Sequence, residues 1–284
     1  MTSNWTCCPA RLVIAAPQGR SGKTTLALGV CAAFSKLGLR VQPFKKGPDF
    51  IDPSWLSAAA GQKCRSLDPF FLDTEEGLVQ SFLRGASQAD VSVIEGNHGL
   101  YDSLHDDGRG STAHLSRILK APVILVVNTE RMSRSIAAMV SGYQQFEPQT
   151  WIAGVILNRV ANLRHEAKLR QAIETCCKIP VIGALPRKNE VVIPDRHLGL
   201  VPQAENDQLL SALEACRQSV EECVDLPALI KLAQSAPGFS VDGNGQSLKP
   251  EDKAPEKTVK VGIIRDRAFT FYYPENLEAL ERAG

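Results

Sequence analysis

The chain has no long apolar run: nowhere do the ~18–20 consecutive apolar residues needed for a bilayer-spanning helix occur. The opening "MTSNWTCCPARLVIAAP" lacks the basic segment and apolar core of a secretory signal. Charge excess is missing too. The 32 Lys and Arg against 31 Asp and Glu leave a formal net charge of +1, so no broad footprint for nucleic acid or an anionic membrane exists. Cysteine is present eight times, but C-x-x-C is absent and no spacing suits zinc. Cys7–Cys8 and Cys176–Cys177 are adjacent pairs, which suit neither an ordinary disulfide nor a chelate. Cys216 and Cys223 share a helical face with Leu209, Leu213 and Val220 and read as packing residues. These absences predict a cytoplasmic protein in a reducing compartment, with neither nucleic acid nor membrane as partner.

What is present is alternation. Strand-like runs at 11–16, 40–45, 90–96, 122–128, 152–160 and 180–186 are separated by helix-like segments at 23–38, 75–86, 111–120, 132–146 and 163–177. Continuous β-branched runs divided by helices predict an α/β fold, with a doubly wound, mostly parallel sheet covered by helices on both faces. Ligands in such folds sit beyond the carboxyl ends of the strands. Residues 1–204 are expected to form this domain, extended by helices at 205–224 and 226–236. The Gly-, Pro- and charge-rich stretch 237–258 reads as a linker. Beyond it "VKVGIIRD" predicts a strand and "PENLEALERAG" a helix, so 259–284 reads as the start of a second α/β domain.

The chemistry begins at "RLVIAAPQGRSGKTTLALGV", residues 11–30. A buried strand leads through a turn of small residues into a helix whose free N–H groups face the turn, which makes an anion site. Gly19 and Gly22 allow close backbone approach, Lys23 is placed to reach the β- and γ-phosphates, and the Thr24 hydroxyl to ligate Mg²⁺. Gly19, Ser21, Gly22, Lys23, Thr24 and Thr25 form the expected nucleotide contacts. The usual G-x-x-x-x-G-K-[ST] pattern wants glycine where Pro17 stands, but strand before and helix after give the context of a P-loop NTPase. Glu95, ending "VSVIE", supplies an acid at a strand end for Mg²⁺ or water.

Three further stretches follow in order: "KKGPDFIDPSW" (45–55), "EGNHGLYDS" (95–103) and "IPDRHLGLVPQAE" (193–205). Together with the phosphate loop they resemble the cobyrinic acid a,c-diamide synthase family, ATP-dependent amidases of tetrapyrrole side-chain carboxylates and relatives of dethiobiotin synthetase. The segment 259–284 is similar to the opening of that family's glutamine amidotransferase domain. The resemblance implies ATP and Mg²⁺ as cofactors, a tetrapyrrole or corrinoid carboxylate as acceptor (cobyrinate foremost, with hydrogenobyrinate, nickel-sirohydrochlorin and siroheme as the alternatives), glutamine-derived ammonia from a C-terminal domain, and a homodimer. It places Lys23, Asp49, Asp52, Glu95 and Asp102 in catalysis, with Thr24, Asp49 and Glu95 about the metal. Phe50, Ile51 and Tyr101 are expected against the substrate, and Asn158 against adenine. Capping is the plainer role for Asp52, before Pro53, and for Asn158. His98 and Ser103 depart from the family pattern beside Asp102. No cysteine here stands in a nucleophile-elbow context, so the chain is expected to amidate with free ammonia but not to hydrolyse glutamine.

Two rivals remain. A dethiobiotin-synthetase-like carboxylase shares the loop but leaves "RHLGL" unexplained. A MinD/ParA-type ATPase switch would carry a further lysine in the loop, where Gln18 stands. His98, Asp102, His105, Asp106 and Asp107 match no metal-ligand spacing and read as a solvated loop, and His197 as a structural residue.

Overall fold

The computed structural model describes residues 5–7, 9–72, 74–187, 195–196, 199–200, 209–241, 259–266 and 269–284. Seven strands form one parallel sheet: β2 (Arg11–Ala15), β3 (Val41–Lys45), β4 (Arg65–Ser66), β5 (Val91–Glu95), β6 (Val123–Asn128), β7 (Ile152–Val160) and β8 (Val181–Pro186). Their spatial order is β4-β3-β5-β2-β6-β7-β8, so the chain winds outward from β2 in both directions. Side chains alternate between the faces. Leu12 and Ile14 enter one buried cluster, with α1 (Lys23–Lys36), α2 (Ile51–Ala60), α7 (Leu209–Cys223) and α8 (Leu226–Gln234). Val13 and Ala15 enter the other, with α3 (Glu75–Ala86), α4 (Thr112–Ile118), α5 (Ser135–Phe146) and α6 (Leu163–Cys176). Both faces being buried, the strands need no polar alternation, which is why they read as unbroken apolar runs. The α/β, P-loop-type doubly wound sheet expected from the sequence is therefore the one found.

Among the described residues, four helices start on a side-chain N-cap. Thr74 accepts from Gly77 N–H, Ser111 from His114, Asn162 from His165 and Asp225 from Ala228, at 2.9–3.0 Å. Helix α1 does not: its cap is Gly22, at φ 96°, with no side-chain acceptor. Its first N–H groups are left for a ligand. Cys216 is buried against α1 and Cys223 packs partly buried on the same cluster, as their helical spacing implied.

Three expectations change. Helix α5 starts at Ser135, not 132, because Arg131 adopts a left-handed φ of 61° in the turn ahead of it. Residues 239–241, expected in the linker, form β11 (Phe239–Val241), antiparallel to β1 (Trp5–Cys7), and Phe239 is buried with its ring under the Arg11 guanidinium. Residues 259–266 form no strand, because none of the described strands pairs with them; α9 (Pro274–Ala283) forms as expected. Of the stretch 193–205, only β9 (Asp195–Arg196) and β10 (Gly199–Leu200) are described, as an antiparallel pair, and His197 lies outside the described residues. Among the described residues no helix is long and apolar enough to cross a membrane.

Candidate nucleotide and acceptor site

The predicted residues converge on the carboxyl edge of β2, β3 and β5. Parallel pairing sets Lys45 opposite Glu95 and Ile14 opposite Glu95, so the strand ends meet around one carboxylate. Between β2 and α1 the phosphate loop is held from both sides. Asn158, from β7, donates its Nδ2–H to Ser21 O at 2.9 Å. Tyr143, from α5, donates its hydroxyl to Pro17 O at 2.8 Å. A Cβ on Gly22 would lie 2.2 Å from Asn158 Nδ2, so glycine is required there for space as well as for its positive φ. The sequence offered Asn158 as a base contact or a helix cap. The cap of α6 is Asn162, and Asn158 braces the loop.

Lys23 is buried, and its ammonium donates to His98 O at 2.7 Å and Gln18 O at 3.4 Å. Burial lowers its pKa, against the pull of Glu95. Thr24, in the first turn of α1, donates its hydroxyl to Glu95 Oε1 at 2.5 Å. Thr25 follows it half-buried, and Gly19 is exposed in the loop. His98 itself sits at φ 49°, which aims its carbonyl at Lys23. Asp102 Oδ2 accepts from Gly99 N–H at 2.8 Å and closes the same loop.

Lys45, which the motif reading quoted but did not single out, is the hub of the acids. Its ammonium is 2.6 Å from Asp52 Oδ2 and 3.2 Å from Glu95 Oε1, with its side chain only 3% exposed. Burial opposes this cation, but Glu95 and Asp52 outweigh it and hold its pKa above the ordinary lysine value. One cation serves both acids, so burial still dominates at Glu95 and pushes its carboxyl up to about 7. The signal for Lys45 in the sequence was a lysine closing a strand otherwise wholly buried. Lys46 pairs likewise with Asp68, 3.7 Å away.

The "GPDFIDP" stretch corrects the capping assignment. Helix α2 begins at Ile51, before Pro53, and its first turn is capped by Asp49, whose Oδ1 accepts from Ile51 N–H at 2.8 Å. Asp52, freed from capping, turns to Lys45. Burial and the neighbouring Asp52 charge raise the Asp49 carboxyl above its ordinary value. Asp49 and Phe50 line a cavity of about 280 Å³. Ile51 instead packs half-buried on the α1-side core, and Tyr101 is stacked on Tyr143 with its hydroxyl donated to Tyr143 O, so neither joins Phe50 at the cavity.

Glu95 Oε2 is buried with no hydrogen-bond partner. Beside the Thr24 hydroxyl, that free oxygen fits a hard cation bound through one carboxylate and the phosphates of a nucleotide. Asp49 is not drawn to this pair, its Oδ1 being held by the start of α2. Among the described residues no three His, Cys, Asp or Glu side chains gather to hold a metal by themselves.

A phosphate loop with an uncapped helix start, on a doubly wound parallel sheet, defines a P-loop nucleotide-binding protein. Residues 12–201 match the CobQ/CobB/MinD/ParA nucleotide binding domain, and the chain belongs to that family. It is 46% identical over 277 residues to the cobyrinate a,c-diamide synthase of Magnetococcus marinus, covering 96% of this chain and 59% of that protein. With the enzyme of the same name from Archaeoglobus fulgidus it shares 41% over 273 residues, 96% of this chain and 58% of that one. The chain thus spans under two thirds of the length of these relatives, and the resemblance read from four motifs agrees with them. Among solved structures, chloroplast FtsY from Physcomitrella patens matches with a TM-score of 0.46 and 18% identity, over 76% of this chain and 68% of that chain.

Proposed function

We propose that the chain carries the ATP-dependent step of amidating the a- and c-side-chain carboxylates of a tetrapyrrole, cobyrinate foremost. An acceptor carboxylate oxygen attacks the γ-phosphorus, the bond to ADP breaks, and an acyl phosphate results. Ammonia, supplied from glutamine by a C-terminal domain in the whole protein, then adds to the acyl carbon, and phosphate leaves. Phosphoryl transfer needs positioning and charge neutralisation more than covalent help. Lys23 would exchange the His98 and Gln18 carbonyls for phosphate oxygens, and the N–H groups at the start of α1 would bind the same anion. Thr24 and Glu95 are the residues that would hold Mg²⁺, which when bound offsets charge on the transferred group. Lys45 holds Asp52 and Glu95 in place by ion pairs, while Asp49, its carboxyl raised, stands beside Asp52 as the group to take a proton from incoming ammonium. Asp102 holds the loop that presents the His98 carbonyl.

The observation that carries this reading is the buried Lys45–Asp52–Glu95–Thr24 network joining the phosphate loop to the start of α2. The names of the relatives support it and the choice of acceptor class. The test is to incubate the chain with ATP, Mg²⁺ and ammonium chloride, offering cobyrinate, sirohydrochlorin and siroheme separately. ADP release with a product mass showing hydroxyl replaced by amino is expected with cobyrinate. ADP release without mass change in any macrocycle favours the MinD/ParA-type switch, which the family also contains.

A further inference from the structure

The cavity between α2 and residues 265 and 270–277 has two walls from distant parts of the chain. Asp49, Phe50 and Ser66 face Arg265, Thr270 and Tyr273. The walls are tied together. The Arg65 guanidinium donates to both Glu278 oxygens, at 2.6 and 3.1 Å, and Ser66 N–H donates to Glu275 Oε1 at 3.2 Å. The Phe50 ring stacks on Phe271 at 4.9 Å and 6°, and lies 4.2 Å from the Tyr273 ring, on which Phe71 closes at 5.0 Å.

Inside this frame hydrogen-bonding capacity is unspent. The Ser66 hydroxyl lines the cavity and is buried with no partner. A native structure keeps such a group where a ligand or water completes it. Lys63 and Arg265 line the same cavity from exposed positions, and the described ion pairs include neither. Asp49 is the opposing charge, and its Oδ1 is turned to the start of α2. At about 280 Å³ the cavity has room for a short carboxylate chain.

We infer that this cavity is a subsite for a non-reacting carboxylate arm of the acceptor, bound by the Ser66 hydroxyl, Lys63 and Arg265 between the Phe50 and Tyr273 rings. It rests on the tetrapyrrole reading above and adds an anchor to it. A macrocycle with several carboxylates presents one to the phosphoryl group only if another is held, and remote contacts of this kind fix the reacting geometry.

The test is equilibrium titration of cobyrinate, and of cobyrinate with its arms methyl-esterified, into the chain with ADP and Mg²⁺. The proteins compared are wild type, Lys63→Ala/Arg265→Ala and Ser66→Ala. Both cations are exposed, so their removal leaves the core intact, which circular dichroism checks. Wild type is expected to bind the free acid and to lose about 10-fold or more on esterification, as charge-assisted hydrogen bonds imply. The double variant is expected to bind free acid and ester alike, with nucleotide affinity unchanged. If wild type binds cobyrinate and the double variant still discriminates against the ester, the subsite is wrong and the acceptor reading stands. If wild type binds no macrocycle, the acceptor reading fails and takes the subsite with it.

Discussion

Lys45 shows how far a single buried charge governs the site. Removing one partner of a buried ion pair leaves the others uncompensated, which costs about 3–5 kcal/mol. Lys45→Met is therefore expected to lower the urea midpoint sharply, because Asp52 and Glu95 then face each other without a cation. Glu95→Gln should behave in the opposite way. It removes a charge whose burial is unfavourable, so the midpoint without nucleotide should hold or rise, while ADP release should fall about 100-fold as the phosphoryl group loses its electrostatic support. The pair of variants separates stability from activity within one network. Gly22→Ala meets both a φ of 96° and Asn158 Nδ2 at 2.2 Å. Strain of about 1–3 kcal/mol at such a position corresponds to roughly 10-fold or more in nucleotide affinity, measurable by titration of a fluorescent ATP analogue.

Among elements, α1 and α7 pack closely because Gly29 brings no side chain to their contact. A Cβ there would lie 2.5 Å from Val220 Cγ2 and 2.6 Å from the Cys216 carbonyl, which is backbone and cannot swing away. Gly29→Ala is expected to destabilise by about 1–3 kcal/mol through overpacking, and to displace the helix that begins at the phosphate loop. Chemical denaturation reads the first effect, and nucleotide titration the second. Two exposed acids contribute to the acid limb of stability. Hydrogen bonds from the Arg40 side chain and backbone N–H hold Asp90 at about 2 instead of 3.8, and Arg217 with Gln218 holds Glu214 at about 2 instead of 4.5. As pH falls from these ordinary values, the unfolded chain takes up protons before the native state does. Their contribution is present above that range and is lost as pH drops through about 2. Asp90→Asn/Glu214→Gln should flatten the fall in thermal midpoint measured over that interval.

At the scale of the whole molecule, β4 and α9 are joined by the Arg65 ion pairs and by rings stacked across the cavity. Arg65→Ala is expected to speed proteolysis within 259–273 while leaving the sheet core protected, which limited digestion followed by mass spectrometry would show. An unchanged cleavage rate would mean that the aromatic stack alone holds the segment. The sequence by itself determined the architecture. Buried runs separated by amphipathic helices allow little besides a doubly wound sheet, and the loop before α1 declares its anion site through local glycines and an uncapped helix start. It also offered most residues of the candidate site, because Lys23, Thr24, Glu95, Asp49 and Phe50 lie in short motifs whose chemistry is local. Pairing between distant segments decided the rest. Lys45 became the hub only when β3 and β5 aligned in register, and Asn158 became a brace only when β7 came within reach of Ser21, 137 residues away. Asp49 took the cap, and so released Asp52 to Lys45, because α2 began two residues earlier than its proline suggested. A motif records which side chains are available at one stretch of backbone; which of them share a buried charge depends on strand register, which only the folded sheet sets.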